Sequence, residues 1–354
     1  MSRFLHPQYA GLEAYTPGEQ PRDRQYIKLN TNESPYPPAP AVLAALTEQD
    51  LADLRLYSDP EGTALRAKLA GLYGVEAAQV FLSNGSDDIL NFAFMAFGAD
   101  GAVFPALTYS FYPVFANLHG VAYETVPLRE DFTLDVAGMQ GKGKLTVFPN
   151  PNAPTGIALP LDQVEAIVAS NPEHVVVVDE AYVDFGADSA VPLLQKYENL
   201  LVVMTYSKSR SMAGARLGFA LGSRTLIQDL EKLKYSTNPY NVNRLTLKLG
   251  QAAVDSDGYF REKAREIMAT REKTAQALRA LGFTLPDSQA NFLFVAHPKV
   301  AGETLYRKCK EKGVLIRHFS DPAIAAYNRV TIGTPAEMEA FLAVVQTILK
   351  EEGA

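Results

Sequence analysis

Two cations and a hydroxyl group follow one apolar run of the chain, in the order Ser207, Lys208 and Arg216. A lysine after such a run is usually only a solvated loop residue. The serine beside it, and the arginine further along in the string AGARLGF, favour a second interpretation. Ammonium, guanidinium and hydroxyl groups together bind anions well, so the segment predicts an anion pocket at the end of a strand.

A carboxylate and a phenol, Asp179 and Tyr182, follow the apolar run VVVV at 175–178. An aspartate in this place often serves only as a turn residue. A carboxylate in apolar surroundings can also accept a hydrogen bond from the N–H of a protonated ring nitrogen, because the low dielectric constant strengthens that pairing. Tyr182 would then reach a phenolic oxygen on the same ring.

A third polar segment, SNGSDD at 83–88, separates an apolar run from a helical pattern. Gly85 lets the backbone approach a ligand closely, and Ser86 and Asp87 would lie in the first turn of the helix. Free N–H groups at a helix N-terminus bind phosphate, although simple N-capping accounts for the same residues. Tyr109, after the next apolar run, could stack on a flat ring or pack in the core.

Short strands alternating with helices must position these residues. Five apolar runs lie at 80–82, 102–104, 145–148, 175–178 and 201–204. Strands that are apolar on both faces belong to a parallel sheet covered by helices, and the run 161–170 has the period of a helix. We therefore expect a large, doubly wound, mostly parallel α/β domain over residues 41–245, with ligands at the carboxyl ends of its strands.

The pattern changes after residue 245, where a charged helix at 259–281 and two short strands predict a smaller α+β domain over residues 246–354. Its closing helix is marked by Thr334 as N-cap, a proline at the first helical position and Glu337 in a capping box. The proline-rich segment 1–40 predicts an N-terminal arm that belongs to this small domain.

Composition argues against several classes of protein. The 354 residues carry a net charge of −7, and we find neither a basic patch nor an apolar run of membrane-spanning length. The five histidines lie far apart, and Cys309 is the only cysteine. We therefore expect no metal site, no nucleic-acid or membrane partner, no internal disulfide and a cytoplasmic location.

Three strings, NPNAPTG, VVVVDEAY and TYSKSRSMAGARLGF, occur in the order and spacing of the fold type I pyridoxal-phosphate aminotransferases, and the chain resembles that family. The resemblance implies pyridoxal 5'-phosphate as cofactor, linked to Lys208 as a Schiff base. Lys208, Asp179 and Tyr182 would be the catalytic residues, with Asp179 at the ring nitrogen and Tyr182 at the phenolic oxygen. The other implied cofactor contacts are Gly85, Ser86, Asp87, Tyr109, Asn152, Ser207, Arg216 and, across the interface of a homodimer, Tyr57.

Within that family the chain is most similar to the histidinol-phosphate aminotransferases, through strings that include LNTNESPYPP, PYNVN, QANFLFV and NRVTIGT. The implied substrate residues are Tyr15, Asn32, Asn291, Arg317 and Arg329. One departure concerns the cofactor site: Ala153 stands where the family has an asparagine that hydrogen-bonds the phenolic oxygen. Asn152, one position earlier, is the candidate replacement.

The resemblance implies ping-pong transfer of an amino group between L-histidinol phosphate and 2-oxoglutarate, a step of histidine biosynthesis. Arg317 and Arg329 suit a phosphate and a carboxylate equally well, so an aromatic amino acid aminotransferase or a threonine-phosphate decarboxylase stays an alternative. A dehydrogenase would need G-x-G-x-x-G after a strand, whereas Gly141 and Gly143 lack the third glycine and precede a strand. A non-catalytic relative would be expected to lack Lys208 or Asp179.

Overall fold

The computed structural model describes residues 2–13 and 18–354, so Tyr15 lies outside the described residues. The strands are β1 (Ile27–Lys28), β2 (Val80–Ser83), β3 (Ala102–Pro105), β4 (Tyr123–Val126), β5 (Leu145–Pro149), β6 (Val176–Asp179), β7 (Leu200–Thr205), β8 (Gly218–Gly222), β9 (Phe292–Ala296), β10 (Val314–Leu315), β11 (Arg317–His318) and β12 (Tyr327–Thr331). The helices are α1 (Pro40–Leu43), α2 (Glu48–Ala52), α3 (Thr63–Tyr73), α4 (Ser86–Phe97), α5 (Phe111–His119), α6 (Val136–Met139), α7 (Leu161–Ala169), α8 (Arg224–Thr237), α9 (Arg244–Asp255), α10 (Asp257–Ala280), α11 (Gly302–Glu311) and α12 (Pro335–Glu351).

A seven-stranded sheet in the order β2-β8-β7-β6-β5-β3-β4 forms the centre of the molecule. The neighbours from β7 to β4 pair in parallel, whereas β8 is antiparallel to both β7 and β2. Two apolar clusters fill the space between the sheet and its helices, one on each face. The expected doubly wound, mostly parallel α/β fold is confirmed, including the five strands read from apolar runs.

Two strands of this sheet were not predicted, and each has a physical reason. β4 lies at the edge of the sheet, and three of its four residues are at least partly exposed, so its sequence has no continuous apolar run. β8, with the sequence GFALG, begins and ends at glycine, a residue that usually weakens a strand. Gly218 is required there because a side chain would collide with the backbone at Gly85 and Ser86.

The C-terminal part of the chain builds a third apolar cluster around α10, α11, α12 and an antiparallel sheet in the order β11-β12-β9. The capping box predicted at the start of α12 is present: the Thr334 hydroxyl accepts from Glu337 N, and the Glu337 carboxylate accepts from Thr334 N. Near the other end of the chain, β1 pairs in parallel with β10. The division of the chain after residues 40 and 245 stays a prediction.

None of the helices within residues 2–13 and 18–354 combines the length and the apolar character needed to cross a membrane. Over the same ranges, no three His, Cys, Asp or Glu side chains are grouped as ligands for a metal ion.

Candidate active site

The strand register brings the polar segments to one edge of the sheet. Asp179, at the end of β6, lies opposite Pro149 of β5 and Val203 of β7. Because β8 runs antiparallel, the residues before it meet the residues after β7, and Gly218 pairs with Thr205. Arg216 therefore reaches the edge where Lys208 and Asp179 lie, although β8 points the other way.

The N-terminus of α4 forms a cradle for an anion at this edge. Gly85 precedes the helix with φ +86°, and a side chain there would come within 2.6 Å of the Arg216 guanidinium. The Arg216 guanidinium lies 3.1 Å from Asp87 Oδ2. Backbone N–H groups at the start of α4, together with this guanidinium, suit a phosphate group because all of them present positive charge to it.

Ser207 adds a hydroxyl to the same segment of chain. Its backbone N–H donates to Thr205 Oγ1 at 3.1 Å, and the Thr205 hydroxyl donates to Ser207 Oγ at 3.0 Å. Ser207 Oγ thus accepts from Thr205 and has its own proton to offer to an anion.

Asp179 is the buried carboxylate of the site. Its Oδ2 accepts from the Tyr112 hydroxyl at 2.9 Å, and its Oδ1 accepts from Ala181 N at 3.2 Å. Burial raises the pKa of Asp179 to about 6, and nearby Asp87 adds to the shift, while the two hydrogen bonds and Lys208 oppose it. Such a carboxylate gains most when a cation such as a protonated ring nitrogen arrives beside it.

We expect the buried charge of Asp179 to destabilise the cofactor-free protein as the pH rises. The folded pKa exceeds the unfolded one, so the folded state loses stability between about pH 4 and pH 6, by about 3 kcal/mol in total. Asp179→Asn removes this loss. In urea unfolding, the free energy of unfolding of the variant relative to that of the wild type should increase by about 1 kcal/mol from pH 5.0 to pH 7.5.

Glu180 is also buried, and its pKa is raised to about 8 by burial and, to a smaller extent, by the charges of Asp184 and Asp179. Asp179→Asn removes one of these charges and lowers the pKa of Glu180, which adds to the variant's gain in stability instead of opposing it. An equal difference in stability at the two pH values would contradict the titration assigned to Asp179.

Lys208 lies between the sheet edge and the N-terminal arm. Its Nζ is 3.4 Å from the carbonyl oxygen of Thr31 and 5.7 Å from the centre of the Tyr182 ring. The Tyr182 hydroxyl accepts a hydrogen bond of 2.9 Å from Asn32 Nδ2. The amine and the phenol therefore share one region, and a segment far from both in sequence holds them there.

A cavity of about 900 Å³ opens beside these groups. Its lining includes Tyr109, Ala153, Arg317 and Arg329, and Ala153 packs with Tyr182. The two arginines are directly paired in register between β11 and β12, and Arg329 also donates to the Asn30 carbonyl at 3.1 Å. Two guanidinium groups on adjacent strands make this wall of the cavity suitable for an anionic substrate.

The other residues that the sequence predicts for the site contact protein groups, as follows. Tyr109 donates to Asp87 at 2.8 Å, and Asn291 is buried and donates to the Asn32 carbonyl at 3.0 Å. Asn152 accepts from the Thr108 hydroxyl, and its Nδ2 lies near the Leu107 carbonyl and the Thr155 hydroxyl. Tyr57 is 77% exposed, with its ring stacked on Tyr240 at 4.4 Å. Their assigned roles stay predictions.

Sequence reasoning missed Tyr112, Thr331 and the carbonyl groups of Asn30 and Thr31. Tyr112 comes three residues after Tyr109, in the first turn of α5, and its nearness to a predicted site residue could have indicated it. A backbone carbonyl leaves no signal in a sequence.

The groups present fit pyridoxal phosphate. The cradle that a Cβ at Gly85 would obstruct suits its phosphate, and the buried Asp179 suits its ring nitrogen. Lys208 supplies an amine for its aldehyde, and the Tyr182 phenol suits the ring oxygen.

Comparisons with known proteins agree with this fit. Residues 24–345 match the family model described as aminotransferase class I and II. A histidinol-phosphate aminotransferase of Brachyspira hyodysenteriae is 48% identical over 353 residues, covering 99% of this chain and 100% of the relative. Histidinol-phosphate aminotransferase 1 of Bordetella parapertussis is also 48% identical, covering 98% of this chain and 99% of the relative.

The fold is also similar to a solved structure. The histidinol-phosphate aminotransferase of Sinorhizobium meliloti, in complex with pyridoxal-5'-phosphate, superposes with a TM-score of 0.87 at 24% sequence identity. The similarity covers 99% of this chain and 98% of that one.

Proposed function

Because the chain belongs to the aminotransferase class I and II family, we propose that it transfers an amino group between L-histidinol phosphate and 2-oxoglutarate. The observation that carries the substrate assignment is the pair Arg317 and Arg329 on one wall of the cavity. A phosphate dianion benefits from two guanidinium groups more than the single carboxylate of an aromatic amino acid does. The relatives from Brachyspira and Bordetella support the same substrate through their names.

The enzyme uses pyridoxal 5'-phosphate, which supplies an aldehyde for the substrate amine and a ring that withdraws electrons from the substrate carbon. Lys208 would provide the amine that anchors the group and the base that moves a proton at the substrate carbon. Asp179 holds the ring nitrogen in its protonated form. Tyr182 donates to the ring oxygen.

The remaining polar groups bind and orient. The N–H groups of Ser86 and Asp87, the Ser207 hydroxyl and the Arg216 guanidinium bind the cofactor phosphate. Tyr109 would stack on the ring. Arg329 and Arg317 hold the anionic end of the substrate, and Asn291 keeps the arm in place through the Asn32 carbonyl.

A single-turnover panel tests the substrate. The enzyme is mixed separately with histidinol phosphate, phenylalanine, tyrosine, threonine phosphate and glutamate, and the absorbance of the lysine-linked cofactor is followed. We expect histidinol phosphate and glutamate to give the fastest losses of that absorbance. A faster reaction with phenylalanine or tyrosine would reassign the enzyme to aromatic substrates, and carbon dioxide release from threonine phosphate would reassign it to decarboxylation.

We also propose a homodimer in which Tyr57 reaches the cofactor phosphate of the partner subunit. The ring of Tyr57 is exposed, and the exposed leucines Leu43, Leu51, Leu54 and Leu56 precede it in the chain. Burial of such neighbouring apolar side chains favours association. We further propose a cytoplasmic location, because the single cysteine of the sequence, Cys309, is a buried free thiol that needs no oxidising compartment.

Removing the hydroxyl in Tyr57→Phe should weaken cofactor retention by roughly 1.5–3 kcal/mol, the contribution of a hydrogen bond to a charged group. Equilibrium dialysis measures the retention. Tyr235→Phe, at another exposed tyrosine, is the matched control and should retain the cofactor as the wild type does. A monomer in sedimentation that is fully active at the same concentration would contradict the shared site.

A further inference from the structure

Asn32 is a buried residue of the arm whose backbone lies in the left-handed region, at φ +56°. Asparagine tolerates this conformation better than most residues do. Its backbone N–H donates to Thr331 Oγ1 at 2.9 Å, and that hydroxyl lies 3.0 Å from Asn32 Oδ1. Asn291 donates to its carbonyl oxygen. Residues from the opposite end of the chain thus fix both the backbone and the side chain of Asn32.

The hydrogen bonds around Asn32 have a consistent direction. A backbone N–H can only donate, so Thr331 Oγ1 accepts it, and the Thr331 hydroxyl donates its own proton to Asn32 Oδ1, 3.0 Å away. The amide atom 2.9 Å from the Tyr182 hydroxyl is then Nδ2, a donor. The Tyr182 hydroxyl must accept this bond, and its own proton has to point to another acceptor.

The direction of the Tyr182 proton matters more because Ala153 stands where the family has a hydrogen-bonding asparagine. Its methyl group packs with Tyr182, Ala290 and Phe292 and offers no hydrogen bond. The amide of Asn152, one position earlier, already has the partners described above within the loops around it. On this side of the site, Tyr182 is therefore the donor available to the phenolic oxygen of the cofactor.

We propose that Asn32 is a positioning residue that compels Tyr182 to donate its proton to that phenolic oxygen, compensating for the amide that Ala153 lacks. The inference rests on the role of Tyr182 in the proposed function. A donor at the oxygen makes it less basic, and the lysine nitrogen linked to the cofactor then holds its proton less tightly. Asn32 thereby lowers the pH at which the resting enzyme changes its visible absorbance.

A spectrophotometric pH titration of the cofactor-loaded enzyme, without any amino substrate, tests this. Asn32→Gly removes the amide while glycine accepts the positive φ, and Asn32→Asp keeps the shape but replaces the donor with an acceptor. We expect the midpoint to rise by about one pH unit in Asn32→Gly and by more in Asn32→Asp. The carboxylates that act on Lys208 and its surroundings, Asp179, Glu33 and Asp87, are unchanged in both variants.

Two further variants separate positioning from a general structural effect. Thr331→Val removes the hydroxyl that orients the amide and should raise the midpoint in the same direction. Asn171→Ala removes a buried amide that donates to Ile167 in another part of the molecule and should leave the midpoint unchanged.

A double-mutant cycle completes the test. In a Tyr182→Phe background, Asn32→Gly should cause no further shift, because the hydroxyl that it orients is gone. Unchanged midpoints in the Asn32 and Thr331 variants, or an equal shift in the Phe background, would overturn the inference. A wild-type protein without lysine-linked absorbance would instead overturn the proposed function.

Discussion

Lys208→Ala is expected to lower turnover by about 10⁴-fold or more while the protein still binds pyridoxal phosphate. One change removes both the amine that anchors the cofactor and the base that moves the substrate proton, and general acid–base catalysis alone contributes up to roughly 10⁴-fold. The cradle formed by α4, Ser207 and Arg216 does not depend on the lysine, so the phosphate keeps its contacts. Steady-state assays and equilibrium dialysis measure the two effects separately.

Chemical labelling identifies the lysine independently. Borohydride treatment of the wild type should fix the cofactor to a peptide that contains Lys208. Lys232→Ala, at an exposed position of α8, is the matched control and should keep both the label and the activity. A label on another lysine would refute the central assignment of the site.

Arg329→Ala should lower kcat/KM for both half-reactions by roughly 10²- to 10³-fold, since truncation removes the charged partner of an anion in a partly buried pocket. Arg329→Lys should impair both by less, because an ammonium group offers a point charge where the guanidinium offers a fork. Histidinol phosphate and glutamate must present different anions to the same arginine. The two half-reactions therefore have to be measured separately.

Arg317→Ala sharpens this test. A dianion gains more from a second cation than a monoanion does, so the histidinol-phosphate half-reaction should lose more than the glutamate half-reaction. Equal losses would mean that Arg317 does not select for phosphate, and an aromatic amino acid would become the better candidate substrate.

Much of the candidate site could be predicted because its residues follow apolar strands directly. Asp179 and Lys208 lie at or just after the ends of β6 and β7, and neighbouring parallel strands end at the same edge of a sheet. Gly85 could be predicted for a related reason, because it lies in the short turn between a strand and a helix, where glycine readily adopts a positive φ. Local sequence determines these positions.

The rest of the site depends on contacts between distant segments. The direction of the hydrogen bond to Tyr182 follows from Asn32 and Thr331, and neither the left-handed backbone nor the shared hydroxyl has a sequence signal. The close approach of Gly218 to Ser86 likewise arises from the pairing of β8 with β2. The sequence of β8, five residues bounded by glycines, does not predict that pairing.

The pairing of β1 with β10 has a consequence for how the protein is made. Asn32 and Thr331 are 299 positions apart, and Lys208 lies between them in the chain. At the usual pace of translation, roughly 5–20 residues per second, the arm leaves the ribosome some 15 to 60 s before its partner strands do. All seven strands of the central sheet have been synthesised once the chain reaches Gly222, so the sheet can form during that interval. The arm cannot make its contacts until β10 and β12 have been synthesised. A newly made chain should therefore acquire its sheet well before it can complete the hydrogen bonds around Tyr182.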